Sequence, residues 1–288
     1  MSEAVEFEIR DGIAVIALSR PEKLNAINED VLGGLGAAIA RLGQDASAGA
    51  AVLHGRGRAF SAGGDITAMS GMDEDTFSRT IGLYMEMAKD FRACSKPIVG
   101  AIHGYALAGG FELACLCDIR IAAEGTLFGL PDTPLGLSPT SGMTYLLPRI
   151  VGLGRAIDLT LSAESIDAAE AHRIGLVTRV VAAERLLETA EGLARKIAGY
   201  PRVGVAHAKA EFYGALESSF EHATSAEHAG EVACFRDPET RAQFRKFVER
   251  KRRKWDRRPP VALQRIPPSP AQARARGFQA QRLLAPLP

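Results

Sequence analysis

Three strand-length apolar runs, AAVLHG (50–55), KPIVGAIHG (96–104) and DIRIAAE (118–124), alternate with helix-length segments. That alternation restricts the fold more than any other feature of the chain. A strand buried on both faces reads as a continuous apolar run, and a parallel pair of strands needs a long connection, usually a helix. The expectation is an α/β protein with a largely parallel sheet. Upstream, VEFEI (5–9) and IAVIAL (13–18) flank Asp11-Gly12, a hairpin signal. VLGGLGAAIARLGQDA then places apolar residues 31, 35, 39 and 42 on one helical face, and a further helix is expected over residues 73–94. From 138 to about 200 the pattern is mainly helical, broken by a strand around LVTRVV (176–181). After Pro201, VGVAHAKAEFYGAL and TRAQFRKFVERKRRKW read as helices. Three parts follow: a core over 1–200, a helical region over 201–258, and an irregular Pro/Arg-rich tail over 259–288 that holds seven of the fifteen prolines.

Several function classes find no support. No run of 18 apolar residues is present, and the N-terminus, MSEAVEFEIR, lacks the apolar stretch of a secretory signal, so a cytoplasmic protein without a membrane span is expected. The four cysteines include no CxxC pair and no metal-type spacing, so no metal site is expected. Gly152-Leu-Gly154 lacks the context of a dinucleotide loop, and Ser61 lacks the first glycine of a nucleophile elbow. His222 and His228 do not have metalloprotease spacing, and His103 reads as a hydrogen-bonded core histidine. Charge is uneven. Residues 245–258 hold nine Lys/Arg against two acids and the tail adds four arginines and no acid, so with a net +1 overall, residues 1–244 carry −10. The basic segment reads either as a solvated helix end or as a surface for a phosphate-bearing ligand; nothing in it resembles a nucleic-acid motif.

Two glycine-rich turns and two acids carry the chemical signal. In GGFELACLC (109–117), apolar residues cover the whole helical circumference and leave Glu112 no polar face. A carboxylate there is paired, protonated or put to use. AFSAGGDI (59–66) and the Ala108-Gly109-Gly110 turn before that helix can each aim backbone N–H groups at an anion. Two such donors meeting on one oxygen form an oxyanion hole. Asp132, in FGLPDTPLGLSP, is either a turn acid between prolines or a second carboxylate sharing a water with Glu112.

RPEKLNAI (20–27), GRAFSAGGDI (57–66), PIVGAIHGYALAGGFELACLCDIRIAAE (97–124) and FGLPDTPLGL (128–137) together resemble, in order and spacing, the enoyl-CoA hydratase/isomerase (crotonase) family, over roughly residues 5–258. The resemblance implies a spiral of ββα repeats with a helical C-terminal trimerisation region, assembled as a homotrimer or homohexamer. It implies an oxyanion hole from the N–H groups of Gly64 and Gly109, and acid–base work by Glu112 and Asp132. It implies substrate contacts from Lys23, Leu24, Ala62, Asp65 and Ile66, with Phe247 and Arg250 of the C-terminal helix reaching a neighbouring subunit's CoA. No cofactor is implied, because coenzyme A arrives as part of the substrate, and neither nucleic acid nor membrane is an expected partner. The implied reaction is hydration of a 2-enoyl-CoA to a 3-hydroxyacyl-CoA. Double-bond isomerisation, hydrolysis, decarboxylation or lyase chemistry on the same scaffold are alternatives, as is a non-catalytic acyl-CoA-binding subunit. One position departs from the hydratase pattern: Asp132 stands where glutamate is usual, which shortens its reach by about 1.5 Å.

Overall fold

The computed structural model describes residues 3–256, so the tail expected over 259–288 lies outside the described residues. The chain opens with a hairpin of β1 (Val5–Arg10) and β2 (Ile13–Leu18), closed by Asp11 and Gly12 at φ 52° and 78°. Two consecutive left-handed residues are the backbone that a two-residue hairpin turn with strand-matched twist demands. The helix α1 (Glu29–Gln44) starts where the Asn28 side chain accepts from Val31 N–H at 3.1 Å, and it buries the expected face of Val31, Leu35, Ile39 and Leu42. Then follow β3 (Ala50–Gly55), the short α2 (Ile66–Met69), the long α3 (Glu74–Ala93) and β4 (Ile98–Ile102). From β2 onward every neighbour in the main sheet is parallel, in the order β1-β2-β3-β4, continued by β6 (Ile119–Ala123) and β9 (Arg179–Val181).

Alternate residues of these strands feed two cores, as the period-2 pleat requires. Val52, Val99 and Ile121 face α8 (Leu186–Ala198), which contributes Leu186, Ala190 and Ala194. Leu53, Ile98, Ile102 and Ala122 face the other way, onto a larger core that includes Leu35, Phe91 and Phe111. The sequence showed no sign of a second, three-stranded sheet. It consists of β5 (Tyr105–Leu107), β7 (Leu127–Gly129) and β8 (Ile166–Asp167), and strands of two or three residues are too short to display a period. Between β5 and β6 sits α4 (Gly109–Leu116), all eight residues of which are buried. The remaining helices of this unit are α5 (Met143–Val151), α6 (Leu153–Leu161), α7 (Ala168–Arg173), α9 (Arg202–Ala215) and α10 (Phe220–Arg236).

The C-terminal pair is tied down by a buried charge. Lys209 of α9 places its Nζ 2.8 Å from Asp118 Oδ2, Tyr213 OH donates to Asp118 Oδ1 at 3.0 Å, and Ile98 N–H donates to the same carboxylate at 2.8 Å. The chain divides into two units at residues 240 and 241. Residues 241–256 of the helix α11 (Pro238–Asp256) form the described part of the second, and there Arg250 stacks 5.6 Å from the centroid of the exposed Phe247 ring. No helix among the described residues is long and apolar enough to cross a membrane.

Candidate active site

The site is assembled by loops that the main sheet delivers to one place. Asn25 is fully buried in a left-handed conformation (φ 55°), and its amide donates to Arg56 O at 2.9 Å and Ala59 O at 2.8 Å. Those bonds clamp the 20–27 loop onto the glycine-rich loop. Isolated bridges continue the alignment: Ile27 pairs with Gly64 and Ser61 with Ala106. Ile27 N–H donates to Gly63 O at 2.7 Å and Asp65 N–H to Ile27 O at 2.9 Å, so the groups flanking Gly64 are spent. Gly63 N–H is spent too, on Ser61 Oγ at 3.2 Å. Among the described residues the Gly64 N–H makes no hydrogen bond within the protein.

Ala108 does the same for the second donor. It holds φ 47° and ψ −123°, a conformation that costs a non-glycine residue about 1–3 kcal/mol. Its N–H is bound to Gly129 O at 2.9 Å, while its carbonyl receives Glu112 N–H at 3.0 Å. The strained turn leaves Gly109 as the first residue of α4, its N–H unpartnered among the described residues and at the positive end of the helix dipole. Gly64, Ala108 and Gly109 line one cavity of ≈ 240 Å³, together with Tyr84, Asp132 and Thr140. Its apolar wall includes Ile66, Met69, Phe77 and Ile81. Two unpartnered N–H donors on residues that line one apolar hollow can hold a developing negative charge on a substrate oxygen.

The two acids differ in surroundings. Glu112 is 2% exposed, and its carboxylate accepts from Thr140 N–H at 2.5 Å, Thr140 Oγ1 at 2.6 Å and Ser141 Oγ at 2.9 Å. Burial pushes its pKa above the usual glutamate value; the Thr140 and Ser141 donors work against that shift and the nearby Asp132 adds to it. Asp132 precedes a short 3₁₀ turn at Thr133–Leu135, its Oδ2 buried without a hydrogen-bond partner, and burial raises its pKa as well. Thr140 binds Glu112 and lines the same cavity as Asp132, which brings the two carboxyls into one neighbourhood, as the sequence reading allowed. Among the described residues, neither is paired with a basic side chain that would hold it ionised.

Of the other residues singled out from sequence, Ala62 and Ile66 line the cavity. Lys23 and Leu24 lie at the short helical turn Pro21–Lys23, outside the cavity wall, with Leu24 O accepting from Ala62 N–H at 2.9 Å. Asp65 also stands off the wall: it caps α2 through Ala68 N–H and pairs with Arg20 at 3.1 Å. Phe247 and Arg250 belong to the second unit. His103 is half-buried, with Nε2 3.0 Å from Gly57 O, so it is hydrogen-bonded as expected but outside the core. Sequence reasoning missed three groups. Tyr84, buried in α3, fills the space beside both glycines. Thr140 and Ser141 bind Glu112, and Ser141 does so at φ 51°, a left-handed strain that only the structure reveals.

The chain was compared with known proteins. The enoyl-CoA hydratase/isomerase family model matches residues 8–258. A protein of Rhizobium meliloti named "Probable enoyl-CoA hydratase" is 41% identical, over 75% of this chain and 83% of its own length. The crotonyl-CoA hydratase of Syntrophomonas wolfei is 33% identical, over 87% of this chain and 96% of its own. Among solved structures, the enoyl-CoA hydratase of Bacillus anthracis superposes with a TM-score of 0.83 at 29% identity, covering 86% of this chain and 96% of its own.

Proposed function

The chain belongs to the enoyl-CoA hydratase/isomerase family, and from that premise we propose that it adds water across the double bond of a 2-enoyl-CoA to give a 3-hydroxyacyl-CoA. One observation carries the reading: the residues Gly64 and Gly109, with unpartnered N–H groups, share a cavity with the Asp132 carboxyl, and a second carboxyl, that of Glu112, is hydrogen-bonded to Thr140 of the cavity wall. The thioester oxygen would accept from both N–H groups, so that negative charge arriving there as the enolate forms is met by fixed dipoles. Each such donor is worth about 2.7–4 kcal/mol of transition-state stabilisation. Glu112 takes the proton of the attacking water, whose oxygen bonds to Cβ, and Asp132 gives a proton to Cα. Acid–base assistance of this kind contributes about 10²–10⁴-fold. The raised pKa values of both carboxyls suit the exchange, because each can hold or release a proton nearer neutrality than an ordinary carboxyl. No cofactor is needed beyond the CoA that the substrate carries.

A second reading rests on the difference between the acids. Asp132 has an unpartnered oxygen while Glu112 is held by three donors, so Asp132 alone could shuttle a proton between carbons and isomerise a 3-enoyl-CoA. Incubation of 2-enoyl-CoA and 3-enoyl-CoA in heavy-oxygen water separates the two. Hydration incorporates one labelled oxygen into the acyl group; isomerisation incorporates none. Assembly as a homotrimer is part of the proposal, supported by Phe212 of α9 and Phe220 of α10, each 79% exposed on the described chain. Large apolar side chains left this open on neighbouring helices suit contact with further copies.

A further inference from the structure

Glu112 and the cavity are separated by a single residue. The Glu112 side chain does not reach the cavity wall; Thr140, which binds it, does. A carboxylate offers about four acceptor positions, and three on Glu112 are filled. Of the three donors, the Thr140 N–H keeps its proton, whereas the Thr140 and Ser141 hydroxyls can exchange theirs. Ser141 opens elsewhere: it lines a different hollow of ≈ 230 Å³ with Met85, Arg92, Tyr145 and Tyr213. Among the described residues, then, Thr140 alone both bonds Glu112 through an exchangeable proton and lines the cavity that holds Gly64, Gly109 and Asp132.

We propose that the Thr140 hydroxyl is a catalytic proton relay, joining the buried Glu112 carboxylate to the water that attacks the substrate. The inference rests on the hydratase reading above. In the step, a proton of the attacking water passes to Thr140 Oγ1 as the proton of Thr140 passes to Glu112 Oε2. The water oxygen bonds to Cβ, and the double-bond electron pair moves onto the thioester as the enolate. Cα then takes a proton from Asp132. Water has lost the proton that Glu112 holds, Asp132 has lost the one that Cα holds, and one proton moving from Glu112 to Asp132 restores both acids. The 2.6 Å separation of Thr140 Oγ1 and Glu112 Oε2 is already that of a strong hydroxyl–carboxylate hydrogen bond.

The test uses the full chain and crotonyl-CoA. Thr140→Val keeps the shape and removes the hydroxyl; Thr140→Ser keeps the hydroxyl. Thr140→Val is expected to lose about 10²-fold or more in kcat with KM within about threefold of wild type, and Thr140→Ser to retain most of the rate. The wild type is expected to give a curved rate profile in mixtures of light and heavy water, because two protons move together. A Thr140→Val chain that hydrates at the wild-type rate, a Thr140→Ser chain that falls as far as Thr140→Val, or a linear wild-type profile overturns the relay alone. The Thr140→Ser rate and the wild-type profile decide the matter even where Thr140→Val fails to fold. A wild type that leaves 2-enoyl-CoA thioesters unhydrated overturns the hydratase reading, and the relay with it.

Discussion

The ring of Tyr84 closes off the space beside Gly109: a Cβ added to Gly109 would lie 3.1 Å from Tyr84 Cε1 and 3.4 Å from its hydroxyl. The same hydroxyl stands 3.5 Å from where a Cβ on Gly64 would be. One buried side chain thus fixes how close both proposed oxyanion donors stand to the cavity. Gly109→Ala is expected to push the ring and the turn apart and to lower kcat/KM about 10²-fold, in the range for losing one oxyanion donor. Tyr84→Phe keeps the ring and gives up only a long 3.4 Å bond to Ile27 O, so its kcat/KM should stay within about threefold of wild type. Steady-state kinetics on the two variants check this.

Asp132 gives a prediction with opposite signs for activity and stability. Its folded pKa lies above the ordinary 3.8, so the folded state favours the protonated form. The penalty of ionising it accrues as pH climbs from 3.8 through the higher folded value and is full above it. Asp132→Asn should therefore melt higher than wild type at pH 8, with the advantage vanishing toward pH 4, while kcat falls about 10²-fold or more. Thermal melts at both pH values, beside the hydration rate, measure it. A variant that melts lower at pH 8 contradicts the account.

The Lys209–Asp118 pair holds α9 to the body of the protein, and the two side chains are only 7% and 14% exposed. Removing the lysine leaves the Asp118 charge buried, with Ile98 N–H and Tyr213 OH as its remaining donors. Lys209→Met is expected to cost about 3 kcal/mol, the low end for breaking a buried pair. Urea unfolding reads this as a lower midpoint with an unchanged slope.

If Phe212 and Phe220 are covered in a homotrimer, charge at those positions should prevent assembly. Light scattering is expected to return three chains per particle for the wild type and one for Phe212→Asp/Phe220→Asp. A wild-type monomer contradicts the trimer.

Much of this was legible in the sequence because it depends on period and on glycine. The β1–β2 turn followed from Asp11-Gly12, the α1 face from residues 31, 35, 39 and 42, and the central strands from their apolar runs. Gly64 and Gly109 were visible as turns that can present N–H groups, and the burial of Glu112 followed from the absence of a polar face on α4. What stayed hidden depends on contacts between distant segments. Thr140 and Ser141 follow Glu112 by 28 and 29 residues and carry no signal of their own as donors to it. Tyr84 reads as one more apolar position of α3, since only the fold brings it against two glycine turns. The second sheet escaped because its strands are too short for periodicity to register.

The central claim is that Glu112 is the base that activates water in a site built around the Gly64 and Gly109 donors. Its most direct test is the rate of crotonyl-CoA hydration by Glu112→Gln, which keeps the shape and removes the carboxylate. The account predicts a loss of about 10²–10⁴-fold in kcat with the KM for crotonyl-CoA little changed. A Glu112→Gln chain that hydrates crotonyl-CoA at the wild-type rate contradicts it.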